Sequence, residues 1–347
     1  MSASNASAVS TLRASLSEFR VSRFRVTPRI RALLFAFLAS CFLSAIPAAA
    51  GKLNLPPEAT QGLRLIYSGD PDAAIELFRR LEQQQPEHPL GFLLEADARW
   101  WKIYCEACEI KYGMIDAWHR SRLPQDDAYL ALADKAVHLA EGHLKQNDTA
   151  EMQLYAGMAW ALKARLLGLR DDGRATARAG VKAREHFLRA VQLDPDLADA
   201  YTGLGLYNYY VDTLSSFARV LRFFMGIPGG NKKEGVRQLE LGMNQGELTA
   251  SEARFYLAKN LRNYDQRYAR AAELLAPLVE QYPQNPLFHL LLGDMNAKLR
   301  RQEAAAASFH AAQKLEIHDA ACRVRVERVV RAALAALGGP STPAADH

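Results

Sequence analysis

The chain has 347 residues, of which 49% are hydrophobic and 23% charged, and its formal net charge is +5 at pH 7. This composition excludes a mainly disordered chain and supplies enough apolar residues for a sizeable core. The positive charge comes from residues 1–50, which contain six arginines and one acidic residue, Glu18. Residues 51–347 carry 37 basic and 37 acidic residues, so the sequence offers little support for nucleic-acid binding.

The first fifty residues have the pattern of an export signal. A basic stretch precedes an apolar run at 32–46, and Pro47 and small residues follow, which predicts cleavage before Gly51 and a location in the periplasm or cell envelope. Two alternatives stay open. The tetrapeptide LASC resembles a lipobox, which would attach a lipid anchor to Cys41 and hold the chain at a membrane. The Ser- and Arg-rich opening also resembles an organellar transit peptide.

Residues 51–336 repeat a pattern of small and large side chains with a period of about 34 residues. In residues 55–88 the pattern falls on Gly62, Ala74, Phe78, Leu81 and Pro86. In residues 286–317 it falls on Gly293, Ala305, Phe309 and Ala312, with Ile317 in place of the proline. Small residues let paired helices approach closely, and large ones fill the space between them.

This spacing identifies the chain as a member of the tetratricopeptide-repeat superfamily. The pattern predicts an all-α fold, a TPR-like α-solenoid of about five or six helix pairs closed by a helix near 319–336. Residues 337–347 are predicted to be a disordered tail. Two stretches, about 92–148 and 206–232, interrupt the repeat as insertions.

Residues 195–315 also resemble the eukaryotic tetratricopeptide-39 and inclusion-body-clearance family. The resemblance lies in the order of an aromatic helix, "GLYNYYVDTLSSFARVLRFFMGIPGG", then "KEGVRQLELG", then a "YPQN" junction. It implies a link to lipid homeostasis, although that family is intracellular and this sequence carries an export pattern.

The first insertion is rich in aromatic residues, including Trp100 and Trp101. They fit either the core of an oversized helix pair or an aromatic concave surface that binds a partner. Cys105 and Cys108 are three residues apart, so on one helix face they are candidates for a local disulfide in an oxidising compartment. No second cysteine pair follows at a spacing that would form a zinc site.

The second insertion places Leu214, Phe217 and Leu221 on one helical face, while Phe223 points away from it. The insertion is interpreted as a bracing helix, as an interfacial membrane helix, or as the lining of a pocket for an apolar ligand. The predicted contact residues also include Phe224, with a rim of tyrosines at Tyr207, Tyr209 and Tyr210.

The sequence lacks the nucleophile elbow, zinc-protease and phosphate-loop motifs, so we predict no enzyme activity, no cofactor and no metal site. The leading hypothesis is an exported scaffold that binds a protein or peptide partner non-covalently on its concave face. The alternative is a binder or carrier of an apolar or amphipathic small molecule, such as a lipid.

Overall fold

A computed structural model of the chain describes residues 53–214, 222 and 226–338. The predicted signal peptide with Cys41, and the residues after 338, lie outside this range. So do four of the proposed contact residues in the second insertion: Phe217, Leu221, Phe223 and Phe224.

The described residues form thirteen helices and one hairpin. The helices are α1 (Pro57–Tyr67), α2 (Pro71–Gln84), α3 (Pro89–Glu106), α4 (Gln125–Leu144), α5 (Ala150–Leu169), α6 (Gly173–Leu193), α7 (Ala198–Asp212), α8 (Lys232–Gln245), α9 (Ala250–Asn263), α10 (Tyr268–Gln281), α11 (Pro286–Lys298), α12 (Gln302–Lys314) and α13 (Ala320–Gly338). The first twelve form six consecutive pairs, and α13 follows the last pair. The all-α solenoid predicted from the repeat is confirmed.

Local sequence signals set the helix starts. Proline occupies the first position of α1, α2, α3 and α11, where its missing N–H costs no helical hydrogen bond. Asp70, Asp172 and Asn285 accept hydrogen bonds from backbone N–H groups in the first turns of α2, α6 and α11. These caps satisfy donors that the helix itself leaves free.

The glycines of the repeat mark the points where paired helices cross. A Cβ added at Gly62 would lie 2.2 Å from the ring of Phe78, and one added at Gly293 would lie 2.6 Å from the ring of Phe309. Neither distance can be tolerated, so each glycine makes room for the aromatic residue that follows it in the repeat. Gly205 opposes the backbone of Gly235 in the same way, although an insertion separates them in sequence.

A short antiparallel hairpin interrupts the first insertion, where the sequence analysis predicted only helix. Strands β1 (Cys108–Lys111) and β2 (Met114–Ala117) pair with Ile110 opposite Ile115. The turn residues Tyr112 and Gly113 both have positive φ, 51° and 65°, which is the geometry of a tight two-residue hairpin turn. Tyrosine is an uncommon choice at such a position, so this sequence gives only a weak turn signal.

The solenoid turns far enough for its two ends to meet. Asn285, before α11, donates from Nδ2 to the carbonyl oxygen of Tyr67 at the end of α1, at 2.9 Å. Gly69, with φ of 87°, lies against the backbone of Gln284 and Asn285. The N–H of Leu53 donates to Glu247 at 2.9 Å. Each of these contacts joins the first pair or the segment before it to a distant repeat.

Helix α3 lies at the centre of this arrangement and is buried along almost its whole length. It packs against α1, α2, α4, α5, β2 and α13. A helix that is buried on every side has apolar residues on all its faces. The sequence of α3 therefore shows little amphipathic pattern. Within the described ranges, no helix is long and apolar enough to span a bilayer.

Candidate functional site

The inner surface of the solenoid is filled by the chain's own aromatic side chains. Trp100 and Trp101 on α3 are 4% and 3% exposed. The indole N–H of Trp100 donates to the hydroxyl of Tyr256 on α9 at 3.0 Å, and the ring of Trp101 lies 4.9 Å from that of Phe255 and 6.0 Å from that of Phe288. The interpretation of these tryptophans as a partner-binding surface is therefore wrong, because they form the core that joins α3 to α9 and α11.

A charged cluster lies beside these rings and connects three helices that are distant in sequence. Arg165 of α5 donates to Asp97 of α3 at 3.1 Å and to Glu252 of α9. Its guanidinium group lies 5.3 Å from the ring centre of Trp100 and 5.1 Å from that of Tyr256. One arginine thus serves two carboxylates in a nearly closed space between two aromatic faces.

Burial and, to a smaller extent, the negative charge of Glu252 raise the pKa of Asp97 to about 7, although Arg165 opposes both effects. Desolvation has the largest effect because a carboxylate loses its hydration inside the protein. Near neutral pH Asp97 therefore exchanges a proton. When Asp97 is protonated, the single arginine faces one carboxylate charge instead of two.

Several other polar groups in the interior have no hydrogen-bond partner among the described residues. They include the hydroxyl of Tyr67, the indole N–H of Trp101 and both amide atoms of Asn260. Asn260 is completely buried, and Tyr67 stacks edge-on against Trp101 with ring centres 5.6 Å apart. These groups reduce stability, since buried polar atoms without partners pay a desolvation cost.

The predicted tyrosine rim is partly buried. Tyr209 is fully buried and donates to Asp265 at 2.8 Å, while Tyr207 donates to the carbonyl of Pro228 at 2.8 Å. Tyr210 is half-buried, with its ring centre 6.0 Å from that of Tyr264, which is 50% exposed. Tyr207 thus joins the two ends of the second insertion, and the buried Tyr209 does not line an open pocket.

The disulfide predicted between Cys105 and Cys108 is wrong. Cys105 bonds instead to Cys322 of α13, which is 217 positions away in sequence, with 5.2 Å between their Cα atoms. Helix α3 ends at Glu106, so Cys108 begins strand β1 and does not share a helix face with Cys105. Cys108 is a buried free thiol whose pKa burial raises well above the usual value, so it is a poor nucleophile.

A groove of about 620 Å³ lies outside, between α2, α3 and the start of α13. Its charges are paired with one another: Lys102 contacts both Asp72 and Asp319, and Arg79 contacts Glu76. Because these side chains neutralise each other, the groove presents little net charge to a ligand.

Two carboxyl groups meet beneath the crossing of α2 and α3. Burial, together with a hydrogen bond to Glu95, raises the pKa of Glu82 to about 8. The adjacent Arg79 and Arg99 bind Glu95 and partly offset the effect. No nucleophile or metal-binding set accompanies the pair; across residues 53–214 and 226–338, no group of three His, Cys, Asp or Glu residues could hold a metal ion.

Sequence reasoning missed Asp97, Arg165 and Glu252. The available signal was a charged residue inside an otherwise apolar helix, as in "LLEADARWW" and "AGMAWALKARLLGL". That signal shows that the residue needs a buried partner but does not identify the partner.

Comparison with known proteins agrees with the helix pairs. Residues 60–107 and 261–320 match the family model described as tetratricopeptide repeat. The chain therefore carries tetratricopeptide repeats in these two segments, and the superfamily assignment is confirmed. Such repeats are in general protein-interaction modules and typically have no catalytic activity.

Among solved structures, the TPR domain of P58(IPK) aligns with 82% of this chain and 99% of its own length, at 12% identity and a TM-score of 0.22. That TM-score is too low to support an argument, so the assignment depends on the matched segments and on the helix pairs. No curated protein matches this sequence. The resemblance to the tetratricopeptide-39 family stays a prediction.

Proposed function

We propose that this chain is an exported scaffold that binds a protein partner non-covalently. The observation that carries the proposal is the pair of tetratricopeptide segments at residues 60–107 and 261–320. A stack of helix pairs offers large, rigid surfaces, and its usual use is recognition by shape and charge.

The partner surface should lie on the outside of the solenoid. A peptide that used the concave face would have to displace Trp100, Trp101 and Tyr256 from one another, and those side chains are buried. Removing such aromatic contacts costs several kcal/mol, about 3–5 for each large side chain. The outer helices of each pair can be reached without this cost.

The Cys105–Cys322 disulfide supports export, because structural disulfides persist in oxidising compartments and are rare in reducing ones. The signal pattern of residues 1–50 independently indicates the same route. Periplasmic fractionation of the full-length chain should release a mature protein that begins at Gly51. Recovery in the cytoplasmic fraction with residues 1–50 intact would contradict export, and an acylated Cys41 at the N-terminus would assign a lipoprotein.

The scaffold function is tested by cross-linking in intact cells of the host, with the full-length chain at its native level. We expect a polypeptide joined to lysines of the outer helices, and we expect the same polypeptide to bind purified residues 51–347 with a measurable Kd. Native mass spectrometry tests the alternative function, that of a small-molecule carrier. A lipid-like adduct with no bound polypeptide would contradict the scaffold and favour the small-molecule carrier.

A further inference from the structure

Helix α6, the second helix of the third pair, buries only four of its 21 residues and so lies on the outside, and its charge is unusual for this chain. It contains five basic residues and one acidic residue, Glu185, whereas residues 51–347 are neutral as a whole. Three of the basic residues, Arg174, Arg178 and Lys182, recur at intervals of four. We call these three residues the basic stripe.

The basic stripe faces solvent. The buried side of α6 is formed by Ala179, Ala183, Phe187 and Ala190, and all three cations of the stripe are exposed. Among the described residues, no carboxylate lies within ion-pair distance of Arg174 or Arg178. Lys182 contacts only the exposed Glu185 of its own helix, at 3.1 Å.

This arrangement opposes helix stability. Like charges four residues apart repel each other on a helix surface. By contrast, Arg189 near the C-terminal end of the same helix contacts Asp148 at 2.7 Å, and Lys102 of α3 contacts two carboxylates. The basic stripe thus has a positive charge that its own surroundings leave uncompensated, which suits a negatively charged partner.

The spacing of the three cations, and the size of the residues between them, indicate which kind of partner fits. Four residues of helix span about 6 Å, so the three cations are evenly spaced along the helix axis. The residues between them are alanine, threonine, glycine and valine, which let another backbone approach closely. A membrane surface would instead favour large apolar residues among the cations.

We propose that the basic stripe of α6 is a docking surface for an acidic helical segment of a protein partner, with carboxylates at every fourth residue. This inference rests on the proposed scaffold function and names the chemistry of its partner. Evenly spaced carboxylates on one helix face match evenly spaced cations on the other, and several weak pairs together give specificity of register.

The probe is a helical peptide of about 20 residues with glutamate at every fourth position. Its affinity for purified residues 51–347 is measured by fluorescence anisotropy. Two further peptides serve as references: one with the same composition in scrambled order, and one with glutamine replacing glutamate. We expect the ordered acidic peptide to bind at least about tenfold more tightly than the glutamine peptide, with binding that weakens as salt is added.

Variants locate the binding. The triple variant R174E/R178E/K182E should no longer bind the acidic peptide. It should instead bind a peptide of the same design in which lysine replaces glutamate. The matched control K314E/R328E/R331E changes net charge equally at exposed positions on α12 and α13, and should bind as the wild type does. The single variant R178E should weaken binding while leaving the melting temperature unchanged or raised, because it places a negative charge between two positive ones.

Several results would overturn the proposal. Equal affinity for the acidic and glutamine peptides, or equal loss in both triple variants, would overturn the proposal. Tighter stripe-dependent binding to phosphatidylglycerol vesicles or to single-stranded DNA would also overturn it, by assigning the stripe to a membrane or a nucleic acid. A cross-linked partner that still binds R174E/R178E/K182E would leave the scaffold function in place and remove only the stripe.

Discussion

At the scale of single residues, the repeat depends on glycines that leave room for aromatic rings. Gly293 admits Phe309, and a side chain there meets the ring at 2.6 Å, whereas a Cβ at Gly180 on the surface of α6 would meet nothing within 4 Å. The same residue type therefore has opposite effects on stability at the two positions.

We expect Gly293→Ala to lower the free energy of unfolding by about 1–3 kcal/mol, because the added methyl group must push Phe309 out of its position. Gly180→Ala should instead raise stability by about 0.5–1 kcal/mol, since alanine reduces the freedom of the unfolded chain. Urea titration followed by circular dichroism measures both changes. A loss of stability in both variants would show that the crossing has no special need for glycine.

The charged cluster gives a prediction about pH. The pKa of Asp97 is raised to about 7 in the folded protein, so the folded state binds this proton more tightly than the unfolded chain does. The resulting stability is present below the unfolded pKa of about 4 and is lost as pH rises towards 7. Asp97→Asn keeps an acceptor for Arg165 and removes the titration. The variant should gain stability relative to the wild type as pH increases from about 5 to about 8.

Urea titrations of the two proteins across this range measure the difference. Parallel stability curves for wild type and Asp97→Asn would contradict the assignment of the proton to Asp97.

At the scale of elements, α13 packs against α3, α11, α12 and β1 and is also joined to α3 by a disulfide. Cross-linking positions 217 residues apart restricts the unfolded chain strongly, by about 5.4 kcal/mol in the loop-entropy account. We expect the paired variant C105S/C322S to unfold at a clearly lower urea concentration. Hydrogen exchange in α13 should become faster than in α12, whereas Cys108→Ser should affect neither helix to that extent.

The elements also show what the sequence can and cannot predict. Crossings such as Gly62 with Phe78 depend on residues close in sequence, and the positions that the repeat predicts agree with the structure. The partner of Cys105 and the partners of Arg165 depend on contacts between distant repeats. A sequence pattern shows that such residues need partners, but the number and curvature of the helix pairs decide which residues meet.

At the scale of the whole molecule, closure changes how stability is distributed. In an open solenoid each repeat contacts only its neighbours, so damage at one end leaves the other end intact. Here Asn285 joins the sixth pair to the first through the carbonyl of Tyr67. It also caps α11 by accepting a hydrogen bond from the N–H of Leu287 at 3.0 Å.

Asn285→Asp separates these two roles, because aspartate still accepts at the cap but cannot donate to Tyr67. Two oxygens would then face each other in a buried site, at a cost of about 1–3 kcal/mol. We expect hydrogen exchange in α1 to accelerate although α1 lies more than two hundred residues away in sequence. Asn231→Asp is the matched control, since Asn231 caps α8 at an exposed position. Faster exchange in α1 for both variants, or for neither, would mean that the solenoid behaves as an open stack.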